Sequence, residues 1–306
     1  MKNGKIRCFV ILALAALALP AFLAAENRVS TFEKTLSLTP GRPVSVEFRD
    51  SDGDVTFTVG DGSSVAVKVR KETDIRDAER ARRRLDEITV EVTQNGNEVR
   101  IEIRYPHRPF DFSALFHNEH VRVRSEVILP RECRLSAVTS DGDIKATGIA
   151  GNVSLRTSDG NIFLAQAEGR LTVATSDGDL TLREVKGTLE ARASDGDIDA
   201  NGVFDRLTLS ASDGNITARV QPGSRPSSDW EVHTSDGDID LFLAPEMSAE
   251  LWVRTGDGSI TSDLPVTVQG KTGKHSLRGT LGGGGALFSI RTSDGNVKLG
   301  RLSPGL

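Results

Sequence analysis

The sequence predicts an all-β protein: a single-chain parallel β-solenoid of ~18-residue coils, preceded by a smaller β-rich region that carries one short helix. Three observations lead there. A signature of Ser-Asp-Gly-Asp/Asn-apolar recurs from residue 140, with Gly142, Gly160, Gly178, Gly196 and Gly214 spaced 18 apart and Gly237, Gly258 and Gly295 following at 23, 21 and 37. Between signatures, apolar and polar residues alternate, which is the period of short strands. The composition agrees, since 30 Gly against 2 Trp and 1 Tyr in 306 residues suits many short turns better than a layered α/β enzyme core.

Residues 1–25 have the three parts of a secretory signal: a basic start (Lys2, Lys5, Arg7), an apolar run over 9–19, and small residues at Ala24 and Ala25. The mature chain is expected to begin at Glu26. Leu23, three places before that cut, suits cleavage poorly and keeps an uncleaved anchor as the alternative. Cys8 precedes the apolar run, so no lipoprotein attachment site is visible, and Cys133 becomes the only mature cysteine. An exported chain with one thiol must be stabilised by packing and not by disulfides. No second apolar run follows, so no transmembrane domain is expected after signal cleavage, and the protein belongs in the periplasm, on the cell surface or in the medium. Without its three signal bases the chain has 35 Lys+Arg against 43 Asp+Glu, a net of −8 that argues against nucleic acid as a partner.

Residues 26–138 form the β-rich N-terminal region. Alternation at 44–48, 65–69, 99–103 and 121–129 reads as strands, and an outlying copy of the signature runs over 51–55. A helix is expected near 74–88, capped by Thr73 or Asp74, with Ile75, Ala78, Leu85 and Ile88 on one face. Arg80, Arg82, Arg83 and Arg84 are interleaved with Asp77, Glu79, Asp86 and Glu87, the pattern of a solvated face with a favourable Glu79–Arg83 pair. This region is expected to be a small sheet with the helix packed on it, capping the first coil. Its charge is balanced, 20 acids against 19 bases over 26–139, so the acidity lies in the repeats, 23 against 16 over 140–306.

Residues 139–306 are the repeats. Counting each unit from its Ser as place 1, apolar or small residues recur at places 5, 7, 14, 16 and 18, as in Ile162, Leu164, Leu171, Val173 and Thr175. Gly151, Gly169 and Gly187 mark a second turn at place 12. The 23-residue unit keeps phase if 221–228, rich in Pro, Gly and Ser, bulges out, and the 37-residue interval has room for a further coil near 270–273. Asp-Gly between alternating strands also fits hairpins. A meander of so many hairpins would exceed the ~10 strands an open sheet usually tolerates, whereas a coil buries its apolar face against its own second strand. One such unit cannot do so alone, which is why the copies are numerous.

The signal, the less regular β-rich start, the tandem Thr-Ser-Asp-Gly-Asp-Ile units and the Gly-rich 281–285 ahead of Ile290-Arg291-Thr292-Ser293-Asp294-Gly295 together resemble the bacterial β-strand-repeat family labelled "putative adhesin", a domain of unknown function. The resemblance covers most of the mature chain. It implies a β-solenoid in an envelope or extracellular setting and supplies no catalytic residues.

Several constellations carry possible chemistry. Asp141, Asp159, Asp177, Asp195, Asp213, Asp236, Asp257 and Asp294 share place 2, and stacking would bring their carboxylates close enough to want a counter-ion such as Ca²⁺. The structural alternative is stronger: Asp accepts from its own turn's amides, Gly supplies a positive φ, Asn replaces Asp freely at place 4, and place-17 bases (Arg156, Arg192, His233, Arg254, Arg291) neutralise the column. No cofactor is therefore expected. His107, His117 and His120 with Glu119 match no zinc-hydrolase spacing, and Cys133 reads as a structural thiol. Trp230 falls at place 14, inside; Trp252 falls at place 15 and should face outward beside Arg254, which makes this pair the candidate ligand surface. The expected function is an exported, non-catalytic, adhesin-like binding or scaffold module at the cell envelope, with a glycan or protein as its ligand. The alternatives are a polysaccharide-acting enzyme on a β-helix and a purely structural envelope protein.

Overall fold

The computed structural model describes residues 28–106, 120–269 and 273–303; the expected signal and its cleavage site lie outside them. The chain opens with β1 (Val29–Ser37), β2 (Ser45–Arg49), β3 (Asp54–Val59) and β4 (Ser64–Thr73), then α1 (Ala78–Asp86), the one helix among the described residues. It continues as β5 (Thr89–Asn95), β6 (Glu98–Arg104), β7 (Val121–Leu129), β8 (Glu132–Val138) and β9 (Ile144–Thr147). Next come β10 (Ala150–Arg156), β11 (Ile162–Ala165), β12 (Glu168–Ala174), β13 (Leu180–Arg192), β14 (Ile198–Ser210), β15 (Ile216–Val220), β16 (Trp230–His233) and β17 (Ile239–Leu243). The last stretch holds β18 (Ala249–Arg254), β19 (Ile260–Ser262), β20 (Val266–Val268), β21 (Ser276–Leu281), β22 (Leu287–Arg291) and β23 (Val297–Arg301). The fold is all-β with one short helix, and its strands join in one sheet that wraps around a continuous core.

Through the middle of the chain, strands 18 residues apart pair in parallel. Val153 lies opposite Leu171, Leu171 opposite Leu189, and Ile162 opposite both Ile144 and Leu180. The alternation explains the burial: Ile162, Leu164, Leu171 and Val173 are buried while the residues between them face out. Trp230 fills the core as its phase requires, edge-on to Phe204 and Phe288 with ring centroids 6.3 and 5.3 Å away, and its Nε1 donates to the Asp205 carbonyl at 3.1 Å. The insertion at 221–228 leaves the ladder in phase, with Leu209 opposite Val232 across the 23-residue step.

At both ends the spatial order departs from the chain order. β22 and β23 lie between two other units: Ile290 faces Val232 on one side and Val253 on the other, while Val297 faces Ile239 and Ile260. The unit at 256 is thus outermost, and the unit at 293 is inserted beneath it. Contrary to expectation, the described residues of the 37-residue interval form no further coil. Its described part holds β20 and β21, which pair antiparallel with each other, and β21 runs antiparallel along β18; the rest of 270–273, apart from Gly273, lies outside the described residues. The N-terminal end mirrors this plan. β2 and β3 slot between β8–β9 and β6–β7, with Val46 facing Leu135 and Val99, and Phe57 facing Ala146 and Val127. The ladder therefore crosses residue 138 without a break. Antiparallel strands cover the outermost edges: β5 on β6, β4 on β7, and β1 on β4. Such cover replaces the in-register parallel edge of the coil, which would template further coils, with antiparallel strands.

The helix begins later than expected. Asp77, not Thr73 or Asp74, is its cap, accepting the Arg80 N–H at 2.7 Å. Ala81 and Leu85 are buried with the flanking Ile75 and Ile88. Lys71 on β4 reaches underneath and donates to the carbonyls of Leu85 and Ile88 at 2.7 and 2.9 Å, closing the helix C-terminus. Glu79–Arg83 and Asp86–Arg82 form exposed i,i+4 pairs.

The repeated corner is built differently from the expected Asp-Gly turn. Its place-3 glycines do not have positive φ. A Cβ there would strike the carbonyl of the equivalent glycine in the preceding unit, in the sequence Gly53, Gly142, Gly160, Gly178, Gly196, Gly214, Gly237, Gly295, Gly258. Glycine is needed for close approach of stacked backbones, and the contact order reproduces the non-sequential stacking. Place 4 supplies the hydrogen bonds: the Asn161 N–H donates to Asp143 Oδ1 at 2.7 Å, Asp179 N–H to Asn161 Oδ1 at 2.9 Å, and so on to Ser259 N–H on Asn296 Oδ1 at 3.0 Å. Only the carbonyl-type oxygen is used in that bond, so Asp and Asn interchange. Ser259 ends the series because its unit is outermost and no next amide waits for it. Buried threonines at place 18 complete the corner, as Thr175 Oγ1 donates to the Gly160 carbonyl at 3.1 Å and accepts from the Gly178 N–H at 3.2 Å.

Candidate ligand surface

The place-2 carboxylates take no part in this corner. Asp141, Asp159, Asp177 and their equivalents are exposed, and none of them forms an ion pair among the described residues. Two of the place-17 bases pair elsewhere, with place-15 acids on the sheet face: Arg192 with Glu190, and Arg291 with Glu231 at 2.6 Å. The expected neutralisation of the Asp column by these bases is therefore corrected, because their side chains leave from a different face. Among the described residues no group of three or more His, Cys, Asp or Glu side chains is arranged to hold a metal ion.

Other sequence candidates separate in space. His107, His117 and Glu119 lie outside the described residues. His120 lines a depression of about 510 Å³ with Asp52, Asp54, Glu72 and Asp74 at the N-terminal end. Cys133 is buried, and burial pushes its thiol up to about 11, so it stays protonated and inert. In the first corner, Asp50 stands where most later units have Thr. It is 7% exposed, its Oδ1 accepts the Asp52 N–H at 3.2 Å, and the Tyr105 hydroxyl lies beside it. Burial pushes the Asp50 carboxyl up, and burial together with the Asp50 charge pushes the Tyr105 phenol up.

Trp252 and Arg254 are where their phase puts them, on the outer face of β18. Trp252 is 41% exposed, and Arg254 follows two residues on, pointing the same way. The inserted β22 sets Ser289 beside Trp252 and Arg291 beside Arg254. On the other flank the antiparallel β21 sets Arg278 directly opposite Trp252 and Ser276 opposite Arg254. The Arg291 guanidinium lies 5.9 Å from the Trp252 ring centroid, a cation–π contact. Arg254 and Arg278 form no ion pair among the described residues. The ring is thus surrounded by three arginines on an open sheet face. Sequence phasing placed Trp252 and Arg254 on this face but not Arg278, which belongs to no repeat, and assigned Arg291 to the charge-balancing column. Chain-order stacking would have put Glu231 beside Trp252 and His233 beside Arg254.

The opposite face carries two aromatics. Phe163 lies 5.4 Å from Lys145 Nζ, and Phe242 lies between Arg219 and Lys298, each 5.8 Å away. Places 6 and 8 face outward by the same alternation, so these contacts were open to sequence phasing.

The family model described as Toastrack DUF4097 matches residues 34–300. No curated protein matches the chain. Solved structures with a similar course include a "putative adhesin" from Bacteroides fragilis, 10% identical, covering 89% of this chain and 97% of its own, with a TM-score of 0.43. A "putative lipid binding protein" from Parabacteroides distasonis is 14% identical over 89% of this chain and 96% of its own, TM-score 0.40. A "putative cell adhesion protein" from Clostridium sporogenes is 10% identical over 89% and 100%, TM-score 0.27. At these scores they carry no argument about function. Among the described residues no helix is long and apolar enough to cross a membrane.

Proposed function

This chain belongs to the Toastrack DUF4097 family, and from that premise we propose that it is an exported, non-catalytic binding module of the cell envelope, adhesin-like, built as a parallel β-solenoid with covered ends. The 18-residue parallel registers support the solenoid, and the antiparallel strands at each end support a rod that does not polymerise by its edges. The observation that carries the binding role is Trp252: a large ring left 41% exposed on a rigid sheet whose equivalent outward places hold mostly Ser, Thr and charged residues. Trp and Arg are among the residue types most enriched in the hot spots of binding surfaces, and here they stand together. The mechanism is presentation, in which the scaffold fixes outward side chains in two-dimensional register and a ligand lies across them without rearrangement.

Binding of the mature protein to a glycan array, lost in Trp252→Ala, is the expected result. Binding unchanged by that substitution removes Trp252 from the site, and catalytic turnover of any polysaccharide by the purified protein refutes the non-catalytic role.

A further inference from the structure

The surroundings of Trp252 specify a ligand class, an inference that rests on the binding role just proposed. Four cations collect on the C-terminal end of a protein whose repeats have an excess of acids: Arg254, Arg278, Arg291 and Lys274, the last in the exposed stretch that leads into β21. Arg254 and Arg291 are register partners on adjacent strands, roughly 4.8 Å apart in the sheet. Arg278 stands across from the ring on the strand that flanks β18 on the other side. Directly paired residues project to the same face, so the indole and the guanidiniums form one surface. A carboxylate laid there meets the planar forks that Arg presents to carboxylates, while a sugar ring covers the indole.

The rest of the grid narrows the choice. Ser276 and Thr280 place hydroxyls between the charges, and Glu250 accepts from Thr280 Oγ1 at 2.9 Å. Glu231, bound to Arg291, is a second acid at the edge. A densely charged nucleic acid or anionic bilayer would meet both carboxylates. A chain with one carboxylate per sugar and hydroxyls between them would not need to. We propose that Trp252, Arg254, Arg278 and Arg291 bind a carboxylate-bearing polysaccharide, a polyuronate, along the C-terminal end of this face.

The test is equilibrium binding of the mature protein to polygalacturonate and to alginate, with fully methyl-esterified polygalacturonate as the uncharged match. Both acidic polymers are expected to bind, weakening as NaCl is raised because exposed charges are screened, and the ester is expected to bind at least about tenfold more weakly, one charged contact's worth. The double variant Arg254→Gln/Arg278→Gln should lose about tenfold or more for the acidic polymers. Both positions are exposed and outside the core, and an unchanged melting temperature verifies the fold. Equal binding of acid and ester overturns the assignment, as does failure of both acidic polymers to bind. If neutral glycans still bind through Trp252, the polyuronate assignment fails and the binding role stands; if no glycan binds, both fail. Arginine-dependent binding to phosphatidylglycerol vesicles that exceeds binding to the polymers also overturns it.

Discussion

Replacing Gly178 by Ala tests the account of the corner most directly. Its φ is not positive, so an alanine there has no intrinsic conformational penalty, and the whole cost comes from the neighbouring unit. The added Cβ would overlap the Gly160 carbonyl oxygen and lie 2.5 Å from its carbon and 3.0 Å from the Asn161 nitrogen. These atoms are backbone and cannot swing aside, so the two units must separate locally. The hydrogen bonds across that gap include Asp177 N–H to the Ser158 carbonyl at 2.9 Å, Thr175 Oγ1 to the Gly160 carbonyl at 3.1 Å, and Asp179 N–H to Asn161 Oδ1 at 2.9 Å. Losing two or three at about 1 kcal/mol each, with overpacking strain of about 1–3 kcal/mol, gives about 3–6 kcal/mol. That is a large part of a domain's usual stability of about 5–15 kcal/mol. Gly53→Ala is the internal control: in the first such corner the Cβ meets no backbone atom, its one severe contact being the end of the Asp50 side chain. Urea unfolding followed by far-ultraviolet circular dichroism should show Gly178→Ala far less stable than Gly53→Ala. A loss under about 1 kcal/mol at Gly178, or equal losses at both sites, would refute close stacking as the reason for glycine.

The place-4 bonds predict that Asp179→Asn is nearly silent, whereas Asp179→Ala leaves the Asp197 N–H without its 2.9 Å acceptor and costs roughly 1 kcal/mol in the same unfolding assay. Asp50 predicts a pH dependence. Its folded carboxyl titrates above the ordinary 3.8, so its contribution is complete below that value and is lost as pH rises through the higher folded one. Asp50→Asn should therefore melt higher than the parent at neutral pH, with the difference shrinking as pH falls toward 3.8; a difference independent of pH would contradict this. Lys71→Met should free the last carbonyls of α1, so amide exchange across Ala78–Asp86 should quicken while the repeats remain protected. Equal quickening throughout would mean that Lys71 supports the whole fold.

Much of the core was legible because alternation on a strand is a local property. Places 5, 7, 14 and 16 go inside in every unit that has another stacked on each side, and the same count sent Trp230 in and Trp252 out. The helix existed where its apolar spacing put it, but its start shifted to Asp77, since several acids and hydroxyls compete for one cap. Ser259 shows a subtler case. It reads as decay of the signature, yet it stands where the hydrogen-bond series has no further amide to serve.

The sequence by itself determined that this chain is a stack of short strands with two glycine corners and one indole turned outward. Tertiary structure decided which units touch. Every unit presents the same parallel edge and the same small corner, so any two are locally compatible and nothing within a unit encodes its neighbour. Long-range pairing chose to insert β22–β23 beneath β18–β19 and β2–β3 beneath β6–β7. That choice, together with the antiparallel β21, is what gathers three arginines from distant parts of the chain around Trp252.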